Sequence, residues 1–81
     1  MKSKSEQIVR HLNKFESTRP LDYKNVAAAK ACEIGAGLYW KGTAEPDPTL
    51  PTAEVWKINT HGKWSRKLGL IVRGVDNVWR T

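Results

Sequence analysis

Few side chains in this chain of 81 residues have the type and spacing that catalysis requires. The single cysteine, Cys32, and the two histidines, His11 and His61, stand far apart, so no base is placed beside the thiol. Carboxylates do not occur in the pairs that acid–base catalysis uses, and no Cys, His and carboxylate residues cluster as metal ligands do. We therefore predict that the protein is not an enzyme and holds no metal and no cofactor.

Basic side chains are the more informative group. The chain has a net charge of +6, and residues 53–81 alone carry six basic groups against two acidic ones. A basic domain favours a polyanionic partner. We predict binding to nucleic acid, DNA rather than RNA, through phosphate contacts; the alternative is a small regulatory adaptor or inhibitor that binds an acidic surface of a partner protein.

The elements that must position these groups begin with an amphipathic helix. Ser3 and Glu6 form an S-x-x-E capping box, in which each side chain satisfies a free backbone donor of the first turn. Ile8 and Leu12 begin an apolar stripe at helical spacing. The pattern predicts a helix over 4–16.

A second helix follows the break at Pro20. Proline disfavours helix at the preceding residue, so Asp22 is the expected N-cap of a helix over 23–35, with Gly35 just beyond its last turn. The run YKNVAAAKACEI is rich in alanine, a strong helix former. The helical residues predicted to form one core with the inner face of a sheet are Ile8, Leu12, Phe15, Val26, Ala27, Ala31 and Ile34.

Cys32 lies within that alanine-rich run. A free thiol among small apolar residues packs as a small hydrophobe, so we predict that it is buried and inert. One cysteine permits no intrachain disulfide, and no secretory or membrane-spanning apolar run is present. These observations predict a cytoplasmic protein with no membrane partner.

The middle of the chain permits two interpretations. Residues 37–42, within IGAGLYWKG, fit either the start of a third helix or an extended segment. Residues 42–52 contain three of the four prolines and predict a surface loop. This loop separates a helical half, 3–41, from a β half, 53–81, within a single small domain, 1–81.

Strands are predicted over 53–59 and 63–73, with VDNVWRT as a third. A three-residue loop pairs Ile58 with Trp64 and Trp56 with Arg66, and gives Gly62 the left-handed position that such loops favour. A two-residue loop instead pairs Ile58 with Ser65 and Trp56 with Lys67, which mixes apolar and charged groups on one face. The three-residue register therefore predicts a core-facing set of Trp56, Ile58, Trp64, Leu68, Leu70 and Val72.

The opposite face of the hairpin then becomes a basic stripe of Lys57, Lys63, Lys67 and Arg73. We predict that this stripe contacts phosphates. The full predicted nucleic-acid-binding set is Lys57, Lys63, Arg66, Lys67, Arg73, Lys24, Lys30 and Lys41. For the alternative function, Trp40 and Trp79 are the candidate protein-binding anchors, because tryptophan is enriched at interface hot spots.

Two helices followed by a basic hairpin resemble a winged helix-turn-helix domain. The resemblance rests on SEQIVRHLNKFES as a first helix, DYKNVAAAKACEIG as a second helix and turn, and WKINTHGKWSRKLGLIVRG as the wing. Ala31 and Gly35 also have the spacing often found in a helix-turn-helix. The resemblance implies an α+β fold of two or three helices with a hairpin or three-stranded antiparallel sheet. It also implies DNA binding through a third helix and the wing.

Overall fold

The computed structural model describes residues 3–15, 20–47, 49–76 and 78–81. Its elements are α1 (Lys4–Phe15), α2 (Pro20–Glu33), β1 (Ala36–Tyr39), β2 (Thr52–Ile58), β3 (Trp64–Arg73) and β4 (Trp79–Arg80). The strands form one antiparallel sheet in the order β1-β2-β3-β4, so each strand pairs with its neighbour in sequence. The α+β class is therefore confirmed, with two helices and a fourth strand within the described ranges. Neither of these helices is long and apolar enough to cross a membrane.

The first helix begins where its capping box predicts, and the Ser3 half of that box is formed. The backbone N–H of Glu6 donates to Ser3 Oγ at 3.1 Å, and the N–H of Gln7 donates to the Ser3 carbonyl at 3.1 Å. Ile8 and Leu12 are fully buried, so the predicted apolar stripe faces the core.

The second helix begins earlier than predicted. It starts at Pro20, which puts Asp22 in the first turn and not at the N-cap. Proline suits a first helical position, because its missing N–H has no partner there and its φ is already helical. The helix ends at Glu33, and Gly35 takes a φ of 77°, as the predicted terminating glycine should.

One hydrophobic core lies between the two helices and the inner face of the sheet. Ala27 and Ala31 of α2 are fully buried, and their small side chains let the helix backbone approach the sheet closely. Val26 and Ile34 pack at the margin, as predicted, and the side chain of Phe15 lies outside the described part. The buried cluster is Ile8, Leu12, Ala27, Ala31, Ala36, Leu38, Trp40, Ala53, Val55, Ile71 and Trp79.

Cys32 is exposed, so the prediction that it is buried is wrong. Each helical residue is rotated by about 100° from the last. Ala31 faces the core, and Cys32 is therefore turned towards solvent. An alanine-rich sequence hides this distinction, because its small residues occur on both sides of the helix.

Residues 36–39 form a strand, which decides between the two interpretations of this segment. The strand ends in a tight turn in which Trp40 and Thr43 exchange backbone hydrogen bonds of 2.7 and 3.0 Å. The third helix implied by the winged-helix resemblance is thus absent from this segment. The proline-rich loop then leads into β2, which begins at Thr52.

The last strand is attached to α1 by one side chain. Asn13 Nδ2 donates to the Trp79 carbonyl at 2.8 Å, and the Trp79 N–H donates to Asn13 Oδ1 at 2.9 Å. The amide of Asn13 therefore pairs with β4 as a neighbouring strand would, and it holds the Trp79 indole in the core.

Candidate binding surface

The hairpin of β2 and β3 has the predicted turn but two unpredicted bulges. Gly62 takes a φ of 78°, and Ile58 pairs with Trp64, as the three-residue loop requires. One extra residue of β3, Ser65, then shifts the register, so that Trp56 pairs with Lys67 and not with Arg66. The register prediction is therefore right at the turn and wrong beyond it.

A second extra residue, Leu68, shifts the register again. From Gly69 onwards, the odd-numbered residues of β3 therefore lie opposite Val55 and Ala53 of β2. Val55 pairs with Gly69, and Ala53 pairs with Ile71. These positions face the helices, and Ala53, Val55 and Ile71 are buried. The intervening positions of both strands face away from the helices.

The outward positions hold the residues that the hairpin pattern assigned to the core. Trp64 is 38% exposed and Leu70 is 39% exposed, while Trp56, Ile58 and Val72 are half-buried. The predicted core face is therefore inverted, except that Leu68 packs against the core from its bulge. We call this outward surface of the sheet the open face, because neither helix covers it.

Three aromatic rings meet at the centre of the open face. The ring centroids of Tyr39 and Trp64 lie 5.2 Å apart in an edge-to-face arrangement, and those of Tyr39 and Trp56 lie 6.3 Å apart. Tilted contacts of this kind are favourable between aromatic side chains. Tyr39, Trp56 and Trp64, which we call the aromatic cluster, line a shallow depression of about 210 Å³.

A glycine of β1 makes room for this cluster. A Cβ atom on Gly37 would lie 2.4 Å from Cη2 of Trp64 and 3.0 Å from Cδ1 of Ile58. The Trp64 indole therefore lies directly across the backbone of Gly37. No sequence signal in the hairpin reveals this contact, because Gly37 belongs to a segment that permits more than one secondary structure.

Charged groups border the aromatic cluster on one side. The Trp56 indole Nε1 donates to Glu54 Oε1 at 3.0 Å, and Lys67 Nζ lies 3.9 Å from the same oxygen. Half of the Lys67 side chain remains exposed. The first bulge is what brings Lys67 onto the open face, since regular alternation would put it on the side opposite Trp56.

The predicted basic stripe is not a single surface. Lys57 pairs with Arg66 on the helix side of the sheet, where both are exposed, and Arg73 is half-buried beside Trp79. Lys63 is exposed next to the turn, and only Lys67 joins the aromatic cluster.

The other predicted cations lie outside the hairpin strands, although Lys41 lines a depression together with Tyr39, Glu54 and Leu70. Lys41 is exposed in the turn after β1, and Lys30 lies on α2, where its Nζ pairs with Glu33 Oε1 at 3.5 Å. The side chain of Lys24 lies outside the described part.

Trp40 and Trp79 are core residues. Each is 1% exposed, so neither side chain is available to anchor a partner on the folded surface. The tryptophans with accessible rings are Trp56 and Trp64, which the hairpin pattern had placed in the core.

Within the described ranges, no group of His, Cys, Asp and Glu residues could hold a metal ion.

Comparison with protein-family models, with curated proteins and with the solved structures found no match to this chain.

Proposed function

We propose that this domain binds single-stranded nucleic acid on the open face of its sheet. The observation that carries the proposal is the aromatic cluster of Tyr39, Trp56 and Trp64, which is accessible on a face that neither α1 nor α2 covers. Unpaired bases stack on such rings, and stacking tolerates any sequence because every base has a π-face.

Lys67 is a cation beside the cluster, and we expect it to contact a phosphate between stacked bases. Lys67 lies on the open face beside Trp56, and Lys63 is exposed next to the hairpin turn. Phosphate contacts of this type add affinity without sequence information. The net charge of +6 supports the approach of a polyanion from a distance.

Single strands suit this surface better than duplex DNA. A base pair inside a duplex keeps its faces stacked on its neighbours, so it cannot stack on Trp56 or Trp64. The reading of duplex DNA that the winged-helix resemblance implies needs a recognition helix, and the described residues contain only α1 and α2 before the sheet.

The experiment is a titration of intrinsic tryptophan fluorescence with single-stranded DNA and RNA of roughly ten nucleotides, a length that one small domain can cover. Trp64→Ala should weaken binding by about 1–3 kcal/mol, the contribution of one stacked base. Trp64→Phe should retain most of the affinity, because it keeps an aromatic ring. Duplex DNA of equal length should bind more weakly than either single strand.

Lys67→Gln tests the phosphate contact separately. It should reduce the dependence of log Kd on log salt concentration by about 0.7, the value for one contact with a single strand. Unchanged affinity in Trp64→Ala, or a preference for duplex, would contradict the proposal.

A second candidate function follows from the aliphatic part of the same surface. Leu70 and Val72 extend the open face beyond the aromatic cluster, and bases do not require aliphatic contacts. Such a surface suits a partner protein that offers an apolar patch with acidic groups at its rim. Absence of binding to every nucleic acid at low salt would favour this second function over the first.

A further inference from the structure

The helix layer carries a groove of its own, on the side of the molecule away from the sheet. Gln7, Arg10, His11 and Lys14 of α1 and Lys30 of α2 line this depression, which has a volume of about 230 Å³. The four α1 residues are spaced at i, i+3, i+4 and i+7, so they share one side of the helix. Ile8 and Leu12 are buried on the other side of α1.

Positive charge in this groove is compensated only in part. The ammonium group of Lys30 lies 3.5 Å from a carboxylate oxygen of Glu33, which is itself largely exposed. Arg10 and Lys14 are exposed, and neither forms an ion pair with any other residue in the described ranges. Arg10 and Lys14 are one helical turn apart, where like charges repel each other. An anion between them removes this repulsion.

We propose that the groove between α1 and α2 binds a phosphate group. The guanidinium of Arg10 offers a planar pair of donors that matches two phosphate oxygens, and Lys14 and Lys30 add ammonium donors. The side chain of Gln7 also lines the groove. No carboxylate lines the groove in the part of the chain that the structure describes.

Phosphate in this groove has two possible sources, a nucleic-acid backbone and a small phosphorylated solute. Both present the same anionic oxygens to Arg10 and Lys14. The site lies on the helix layer and shares no residue with the aromatic cluster. The proposal therefore does not depend on the function of the open face.

The experiment is a nuclear magnetic resonance titration of the ¹⁵N-labelled protein with inorganic phosphate and, separately, with a single-stranded thymidine oligonucleotide. Sodium chloride at matched ionic strength is the reference. We expect saturable shifts of the amides of Arg10, Lys14 and Lys30. The double variant Arg10→Gln/Lys14→Gln should bind phosphate at least about tenfold more weakly, because it loses two charge-assisted contacts.

The matched control is Lys41→Gln/Lys57→Gln, which removes the same net charge from exposed positions outside the groove. It should change the phosphate affinity by less than about twofold, since neither lysine lines the groove and exposed charges are screened by salt. Trp64→Ala should leave the groove shifts produced by inorganic phosphate unchanged, which separates this site from the open face.

Each result decides the proposal. Groove shifts with both ligands show that the phosphate group itself suffices, and shifts with the oligonucleotide alone identify the backbone as the source. Shifts no larger than those caused by sodium chloride overturn the proposal. So does an equal loss of affinity in the control variant, because binding then reflects net charge and not the groove.

Discussion

The two faces of the sheet show opposite relations between side-chain size and burial. On the inner face, Ala53, Val55 and Ile71 are buried, although one of them is among the smallest apolar residues. On the open face, Trp56 and Trp64 remain partly accessible, although they are among the largest. The difference shows that the docking of the helices decides burial here, and the accessible apolar patch is the reason why we propose the open face as the binding surface.

The sharpest test of this comparison replaces one leucine on each side. Leu12→Ala in the core should cost about 2–5 kcal/mol of unfolding free energy, a large part of the stability of so small a domain. Leu70→Ala on the open face should cost less than about 1 kcal/mol, because Leu70 is already 39% exposed. Urea unfolding measures both. Equal losses would mean that the open face is buried as deeply as the core.

A smaller effect is expected from filling the space above Gly37. Gly37→Ala places a methyl group within 2.4 Å of the Trp64 ring, so the ring must move. Because the Trp64 side chain is 38% exposed, the ring can shift at a cost of about 1 kcal/mol. We expect altered tryptophan fluorescence and weaker binding of single strands, with the fold retained.

The control is the double variant Gly37→Ala/Trp64→Ala. If the only role of Gly37 in binding is to leave room for the Trp64 ring, Gly37→Ala should add nothing to the loss of affinity caused by Trp64→Ala. A further loss in the double variant would show that Gly37 contacts the ligand directly.

The smallest effect is expected at the turn between β3 and β4, which belongs to neither face. A side-chain hydrogen bond from Arg80 lowers the pKa of Asp76 from 3.8 to about 2, with Arg80 Nη2 2.8 Å from Asp76 Oδ2. A lowered carboxyl pKa stabilises the fold above pH 3.8, and this contribution is lost as the pH falls to about 2. Both groups are exposed, so the effect is small.

Thermal unfolding of the wild type and of Asp76→Asn checks this contribution. The wild type should melt slightly higher at neutral pH, and the difference should disappear as the pH falls from about 4 to about 2. A difference that stays constant with pH would assign the stabilisation to packing of the turn and not to the carboxylate.

The features that the sequence predicts well depend on local contacts. Ser3 and Glu6 mark the start of α1, and Gly62 marks the hairpin turn, because each acts within a few residues of itself. The orientation of the sheet depends instead on which of its faces the helices cover. The alternation of apolar residues in β2 and β3 does not show which face of the sheet packs against the helices. The prediction put the larger residues in the core, and the structure puts them on the open face.

The bulges at Ser65 and Leu68 are the second reason why the site was not predicted. Each inserts one residue without a cross-strand partner; Gly69 directly follows Leu68, but no glycine or proline stands beside Ser65. A regular register puts Lys67 opposite the aromatic residues, whereas the bulged strand brings it beside Trp56. The combination of aromatic rings and a cation on one face therefore appears only in the folded chain.

These bulges also bear on whether β3 can pair with a strand of a second molecule. The last strand pairs only with Val72 and Arg73, so most of β3 presents a backbone edge that no other described strand covers. A long regular edge is a template for adding a strand from a second molecule, which leads to aggregation. The two bulges interrupt the regular spacing of donors and acceptors along this edge, and Arg66 and Lys67 place charge next to it. The irregularity that shapes the open face thereby also makes the edge a poor template for fibre growth.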